Sequence, residues 1–413
     1  MMMKVHTALA LGPALASALI ILLGLGFFSG CYTLKQGTAM LGYLGKAVPL
    51  EELEKREETA GASPAEAEET RRFVERVRDI RRFAREELGL AESKNYTRYV
   101  QLDRDYLAAV VSACAADSFT RREWRFPVVG TVPYKGFFDP AGARKEAARL
   151  KAQGLDVWVR GVDAFSTLGW FRDPLYSYMK DYTAYQLADL IIHELLHATV
   201  FVPGQADFNE QLAEFTGRRG GRLYIESRYG IDSPECRAVD SAEADGRTFR
   251  LFLSDLGSEL ESLYAKAGLD REAKLAEKER IIQAARKRFA EEYDRRFQSG
   301  GYRFFADLPV NNAYLDLFRL YHEEDNFLDE LFETVADPGP PVPSGPGDPA
   351  KRAAPSGETV ASGETAAGIR RLRAFAAAAA KLDAGEFRRA ARRDPRQALQ
   401  AALRQAAADG GGS

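Results

Sequence analysis

Two of the four histidines in the chain stand four residues apart with a glutamate between them, in Ile191-Ile192-His193-Glu194-Leu195-Leu196-His197-Ala198-Thr199. No other segment constrains the fold as much. Residues four apart lie one above the other on an α-helix, so both imidazoles reach one metal ion only if this stretch is helical. Glu194 then sits beside the pair, placed to hold a water rather than the metal, while Leu195 and Leu196 face a core. The spacing is that of the helical zinc motif H-E-x-x-H. It predicts one Zn2+ per chain with His193 and His197 as ligands and Glu194 as general base.

A catalytic zinc keeps three protein ligands and one open position, so a third ligand must come from elsewhere. The position six residues past His197 is Pro203, and Val200 stands where a glycine would be needed, which rules out a third histidine supplied as in metzincins. The one other histidine outside the N-terminal leader, His322, is distant in sequence. A carboxylate is expected instead, from Phe208-Asn209-Glu210-Gln211-Leu212-Ala213-Glu214-Phe215 on the next helix. Glu210 is the expected ligand, although Asp207-x-x-Glu210 also reads as a capping box. Glu214, one turn later, is the substitute ligand or the carboxylate that orients a histidine. Tyr224, Tyr229, Tyr302 and His322 are candidate donors to the oxyanion of a hydrolytic reaction, and His322 is the one expected to be catalytic.

Composition narrows the class. With 57 basic against 60 acidic residues the formal net charge is -3, which gives no field of the kind that non-specific nucleic-acid binding needs. Three cysteines without a Cys-x-x-Cys pair exclude a disulfide scaffold and a zinc ribbon. The uncharged run Ala8 to Phe28, ending in Phe28-Ser29-Gly30-Cys31, has the form of a lipoprotein-type signal over residues 1–30. Cys31 is the expected lipidation site, with an uncleaved helical anchor as the alternative. Either leads out of the cytoplasm, to the periplasmic face of a bacterial membrane, and leaves Cys114 and Cys236 where they either pair or stay as buried thiols.

The rest of the chain divides by pattern. Ser63-Pro64-Ala65-Glu66 is a helix start ahead of Phe73, Val74, Val77, Ile80 and Phe83. Strands are expected between Trp124 and Phe138 and over 156–162, with a helix of Ala143 to Lys151 between them. Helices follow around the histidine pair, over Glu243 to Leu263, and over Glu272 to Phe297. The order predicts a mostly helical α+β zincin-like fold with a small sheet packed on the motif helix. Residues 31–336 form the expected metallopeptidase domain, 337–366 a Pro/Gly/Ser-rich flexible linker and 367–413 an Ala/Arg-rich helical tail, which either meets anionic headgroups or folds back on the domain.

The sequence resembles the bacterial putative aminopeptidases, predicted lipoproteins carrying H-E-x-x-H. The resemblance takes in Gly30-Cys31, Trp124-x-Phe126-Pro127, Tyr134-Lys135-Gly136-Phe137-Phe138, the segment Ser166 to Pro174, His193 to His197, Phe208-Asn209-Glu210, Asn311-Asn312-Ala313 and Tyr321-His322. The Asn209-Glu210 pair is similar to the one that supplies the third ligand in thermolysin-like gluzincins, with a shorter gap after the second histidine. The resemblance implies a zinc metallopeptidase acting on peptides. The competing expectation is an envelope lipoprotein whose zinc site is structural or degenerate and which serves as a binding or assembly module.

Overall fold

In a computed structural model of the chain, the described residues are 42–43, 45–59, 63–126, 130–162, 173–319, 326–340, 361–383, 385 and 387–410. The signal segment, Cys31, His322, most of Ser166 to Pro174 and the centre of the Pro/Gly-rich stretch lie outside them. In chain order the elements are β1 (Val48–Pro49), α1 (Leu50–Thr59), α2 (Pro64–Glu86), β2 (Arg98–Val100), β3 (Ala108–Ala115), β4 (Trp124–Phe126), β5 (Gly130–Val132), β6 (Tyr134–Phe137), α3 (Pro140–Lys151), β7 (Leu155–Val162) and β8 (Leu175–Tyr176). There follow α4 (Ala184–Thr199), α5 (Ala206–Tyr229), α6 (Pro234–Tyr264), α7 (Arg271–Arg296), α8 (Asn312–Arg319), α9 (Phe327–Glu333), α10 (Gly363–Ala380), α11 (Phe387–Ala391) and α12 (Pro395–Gly410). The fold is α+β and mostly helical, with small sheets. No helix among the described residues is long and apolar enough to cross a membrane.

The chain forms two compact units, one from Met1–Lys46, Tyr106–Asp163 and Asn311–Asp316, the other from Ala47–Asp105, Ala164–Val310 and Leu317–Ser413. In the first unit, β3 is the centre of an antiparallel sheet of order β6-β3-β7. Ala109, Val111 and Ala113 of β3 pack against Ala143, Ala147 and Leu150 of α3. The opposite face of the strand is buried too, which is why the apolar text of β3 lacks a period-two signal. Asn312 and its neighbours fasten this unit. The Asn312 side chain donates to the carbonyls of Ala115 and Ser118, its backbone N–H donates to Asp156, and Arg121 forms a forked pair with Asp316.

The second unit is helical around α4. Its N-terminus is set by a reciprocal capping box between Thr183 and Gln186, and Leu187, Ala188, Ile191, Ile192, Leu195 and Leu196 are buried along it. Where the sequence predicts a sheet against this helix, its packing partners within the unit are two helices, α2 and α5. Two helices can approach this closely because α5 carries glycines at the crossing. An added Cβ at Gly217 would lie 2.8 Å from the backbone oxygen of Asp189, and one at Gly221 3.1 Å from its backbone nitrogen. Further out, α6 and α7 form a hairpin whose seam is aromatic: Phe289 and Phe305 flank Phe252, and Phe249 stacks on Tyr302 at 4.4 Å. The alanine-rich C-terminal segment folds back on α5, with the Phe375 ring 5.1 Å from Phe215.

Candidate metal centre

The histidine pair and the carboxylate opposite it are brought together by a short connection. The α4 helix stops at Thr199, Val200 takes an extended conformation, and the backbone N–H of Gln205 closes a turn on the Val202 carbonyl. Pro203 fits the second place of that turn and Gly204, at φ +82°, the third, where only a residue tolerant of positive φ is unstrained. Buried Asn209 then ties the turn to α5: its carbonyl oxygen accepts from the Val202 N–H and its amide donates to the Val202 carbonyl, both at 2.9 Å. Glu210 follows directly and faces the two imidazoles. The capping box expected between Asp207 and Glu210 does not form, because α5 begins at Ala206 with Gln205 as an N-cap that makes no side-chain bond. Its absence leaves the Glu210 carboxylate free for the histidines.

The side chains converge as a ligand set. His193 and His197 place their Nε2 atoms 3.2 Å apart, and Glu210 brings one oxygen to 3.6 Å from His193 and the other to 3.5 Å from His197. Nitrogen and oxygen ligands at about 2.0–2.1 Å from a tetrahedral zinc lie about 3.3 Å from each other. The observed separations are close to that value, and two imidazoles with one carboxylate form a donor set compatible with a metal ion that keeps a position open. Among the described residues these three form the one group that could hold a metal ion in this way.

Electrostatics follows from the convergence. Hydrogen bonds from His193 and His197 outweigh partial burial and pull Glu210 down to about 2. Burial alone would disfavour the His193 imidazolium, but Glu210, Glu194 and Asp189 outweigh it and raise its proton affinity. Glu194 is 6% exposed. Burial raises its pKa against the opposing pull of both histidines.

Glu214, expected as the substitute ligand or as the carboxylate that orients a histidine, is exposed and is not one of the converging groups. Asp189, one helical turn before His193 and missed in the sequence, adds its charge to those of Glu210 and Glu194 on His193, and is itself pushed up to about 6 chiefly by burial. Of the candidate oxyanion donors, Tyr224 spends its hydroxyl on Asp79 at 3.0 Å, and Tyr302 stacks on Phe249. Tyr229 is 19 residues beyond Glu210, roughly 28 Å along α5 at about 1.5 Å per residue. Cys114 and Cys236 are both buried free thiols.

Residues 31–338 match the family model described as "Putative aminopeptidase". No curated protein and no solved structure matches the chain.

Proposed function

The chain belongs to the putative aminopeptidase family, and from that premise we propose that it is a zinc-dependent peptide hydrolase, an aminopeptidase of the cell envelope. The observation that carries this reading is the convergence of His193, His197 and Glu210, with ligand atoms all within 4.8 Å of one another, beside a buried Glu194 that is not one of the converging groups. A purely structural zinc is closed by four protein ligands and has no use for such a glutamate. A zinc ion held here supplies Lewis acidity, making water a nucleophile near neutral pH and polarising a carbonyl. The residues of the chain do the rest: Glu194 accepts the proton of the attacking water and passes it to the leaving amine. Asp189 steadies His193, and Asn209 holds Glu210 opposite the histidines.

Three proteins test the assignment. Glu210→Gln loses both zinc and activity, because a neutral amide oxygen is a far poorer zinc ligand than a carboxylate. Glu194→Gln keeps zinc and loses about 100-fold to 10,000-fold in rate. His193→Ala loses zinc. Metal content of the purified chains and cleavage of a diverse peptide library are the readouts. Full zinc occupancy in His193→Ala would sink the site, and wild-type rates in Glu194→Gln would sink the mechanism. A zinc-loaded wild type that cleaves nothing in the library would favour an envelope binding module. For location we propose a lipid on Cys31 and residence at the periplasmic face, on the strength of the Ser29-Gly30-Cys31 sequence. Palmitate labelling that survives Cys31→Ser would defeat it.

A further inference from the structure

Away from the metal centre, a cleft of about 170 Å³ is lined by four arginines of α2, Arg78, Arg81, Arg82 and Arg85, against one acid, Glu92. The arginines are spaced i, i+3, i+4 and i+7, so they share one face of the helix and repel one another. Three of them meet carboxylates. Arg78 forks onto Glu54 at 2.9 and 3.1 Å, Arg85 meets Glu86 and Glu92, and Arg82 meets Asp79, a carboxylate also taken by Arg228 at 2.9 Å. Arg81 differs. Its Nη2 donates to the Ser93 carbonyl at 2.6 Å, while its Nε is buried with no hydrogen-bond partner among the described residues. Burial and the charge of Arg85 pull its pKa down against Glu92 and Glu51. A half-buried cation held by a carbonyl oxygen is costly to keep unless an anion joins it.

The cleft is tied to the motif helix. Ala91 and Ser93 line it together with Leu195 of α4, and the Ala91 N–H donates to the Thr199 hydroxyl at 2.9 Å. Leu195 stands two residues after His193, about 200° round a helix of about 3.6 residues per turn, so the cleft lies behind the metal centre and not in it. Pockets that take whole metabolites measure about 300–1,000 Å³, and this one has room for a small group. Guanidinium forks match carboxylate and phosphate oxygens alike. A carboxylate brings two oxygens and one charge, whereas a phosphate brings more oxygens and up to about two charges, the better answer to several guanidinium groups at once.

We propose that this cleft binds one phosphate group, free or as the head of an anionic lipid, with Arg81, Arg82 and Arg85 forked onto its oxygens. The site stands independently of the hydrolytic reading.

Inorganic phosphate and glycerophosphoglycerol, the soluble head of such a lipid, are titrated by calorimetry into the zinc-loaded full chain in a phosphate-free detergent. A single molecule binds per chain at low salt. Affinity falls about tenfold or more in Arg81→Met and in the double variant Arg82→Gln/Arg85→Gln, whose side chains are about half exposed, so that the fold tolerates their loss. Arg280→Gln, at an exposed ion pair on α7, keeps wild-type affinity, and so does the zinc-free wild type, which has no metal for phosphate to ligate. Binding of either compound with this dependence on the arginines supports the site, and the compound that binds names the source. Binding of neither overturns it. So does affinity that is lost with the zinc and kept in the arginine variants, or lost equally in Arg280→Gln. If Arg81→Met does not fold, the double variant decides by the same measure.

Discussion

Asp189 sits at the junction between stability and chemistry. Burial, with Glu214 and Glu243 adding to it and His193 opposing, places its carboxyl at about 6, above the ordinary value of about 3.9. The folded chain therefore holds this proton more tightly than the unfolded chain. Its contribution favours folding fully below pH ~4 and is lost as pH rises through about 6, and a shift of this size corresponds to about 2–3 kcal/mol. Without zinc, Asp189→Asn is expected to melt several degrees above wild type at pH 8 and to lose that advantage below pH 4. The same substitution weakens zinc binding by about 10-fold to 100-fold, because the charge beside His193 is gone. Thermal melts against pH and a zinc titration check the pair of outcomes; higher stability with unchanged zinc affinity would remove Asp189 from the site. Asn209 gives a second case. Asn209→Ala leaves the Val202 N–H and carbonyl without partners in a buried place, at about 1–3 kcal/mol, and zinc affinity falls with it because Glu210 loses its anchor.

At the scale of elements, the site depends on how closely α4 and α5 lie. Gly217→Ala would put a methyl 2.8 Å from the backbone oxygen of Asp189 and 3.0 Å from the His193 Cβ, with no side-chain end free to move away from the backbone contact. Overpacking of this kind costs about 1–3 kcal/mol, and the relief available is for α5 to move outward, taking Glu210 from the histidines. Lower melting temperature together with reduced zinc content is the expected result. Gly257→Ala in α6, where nothing lies within 4 Å of the added Cβ, is the control; it should gain up to about 1 kcal/mol from helix propensity. If both substitutions behave alike, close approach is not what Gly217 provides. The elements themselves were largely legible in the sequence. The Ser63 capping box, the strands from Trp124 to Phe137 and the helices either side of the turn at Pro203 all announce themselves through caps and periodicity. β3 does not, since a strand of alanine, valine, serine and cysteine buried on both faces has no alternation to read. The glycine stripe of α5 reads as poor helix text until its partner is known.

For the whole molecule, the sequence gives away what lies close along the chain and hides what is joined across it. His193, Glu194, His197 and Glu210 fall within one helix and the next, so spacing finds them. The C-terminal segment is the largest case of the second kind. It lies beyond the residues matched by the family model and reads as an alanine-rich appendage, yet Leu372 and Phe375 are fully buried. Phe375 packs on Phe215 of α5 and Phe332 of α9. The Gln205 side chain, at the start of α5, donates to the Arg392 carbonyl at 2.9 Å, and Arg396 reaches Gln211 beside Glu210. The tail thus braces the end of α5 that carries the third ligand. A chain ended after Pro340 is expected to expose Phe215 and Phe332, melt well below the full chain and bind zinc more weakly. Phe375→Ala isolates the packing part, at about 3–5 kcal/mol, and should lower the urea midpoint while leaving Gln205 and its bond in place. Zinc affinity separates the two: it drops in the truncated chain more than in Phe375→Ala if the bonds to Gln205 and Gln211 position Glu210. Equal zinc affinity in full and truncated chains, with equal melting, would make the tail a bystander to the site.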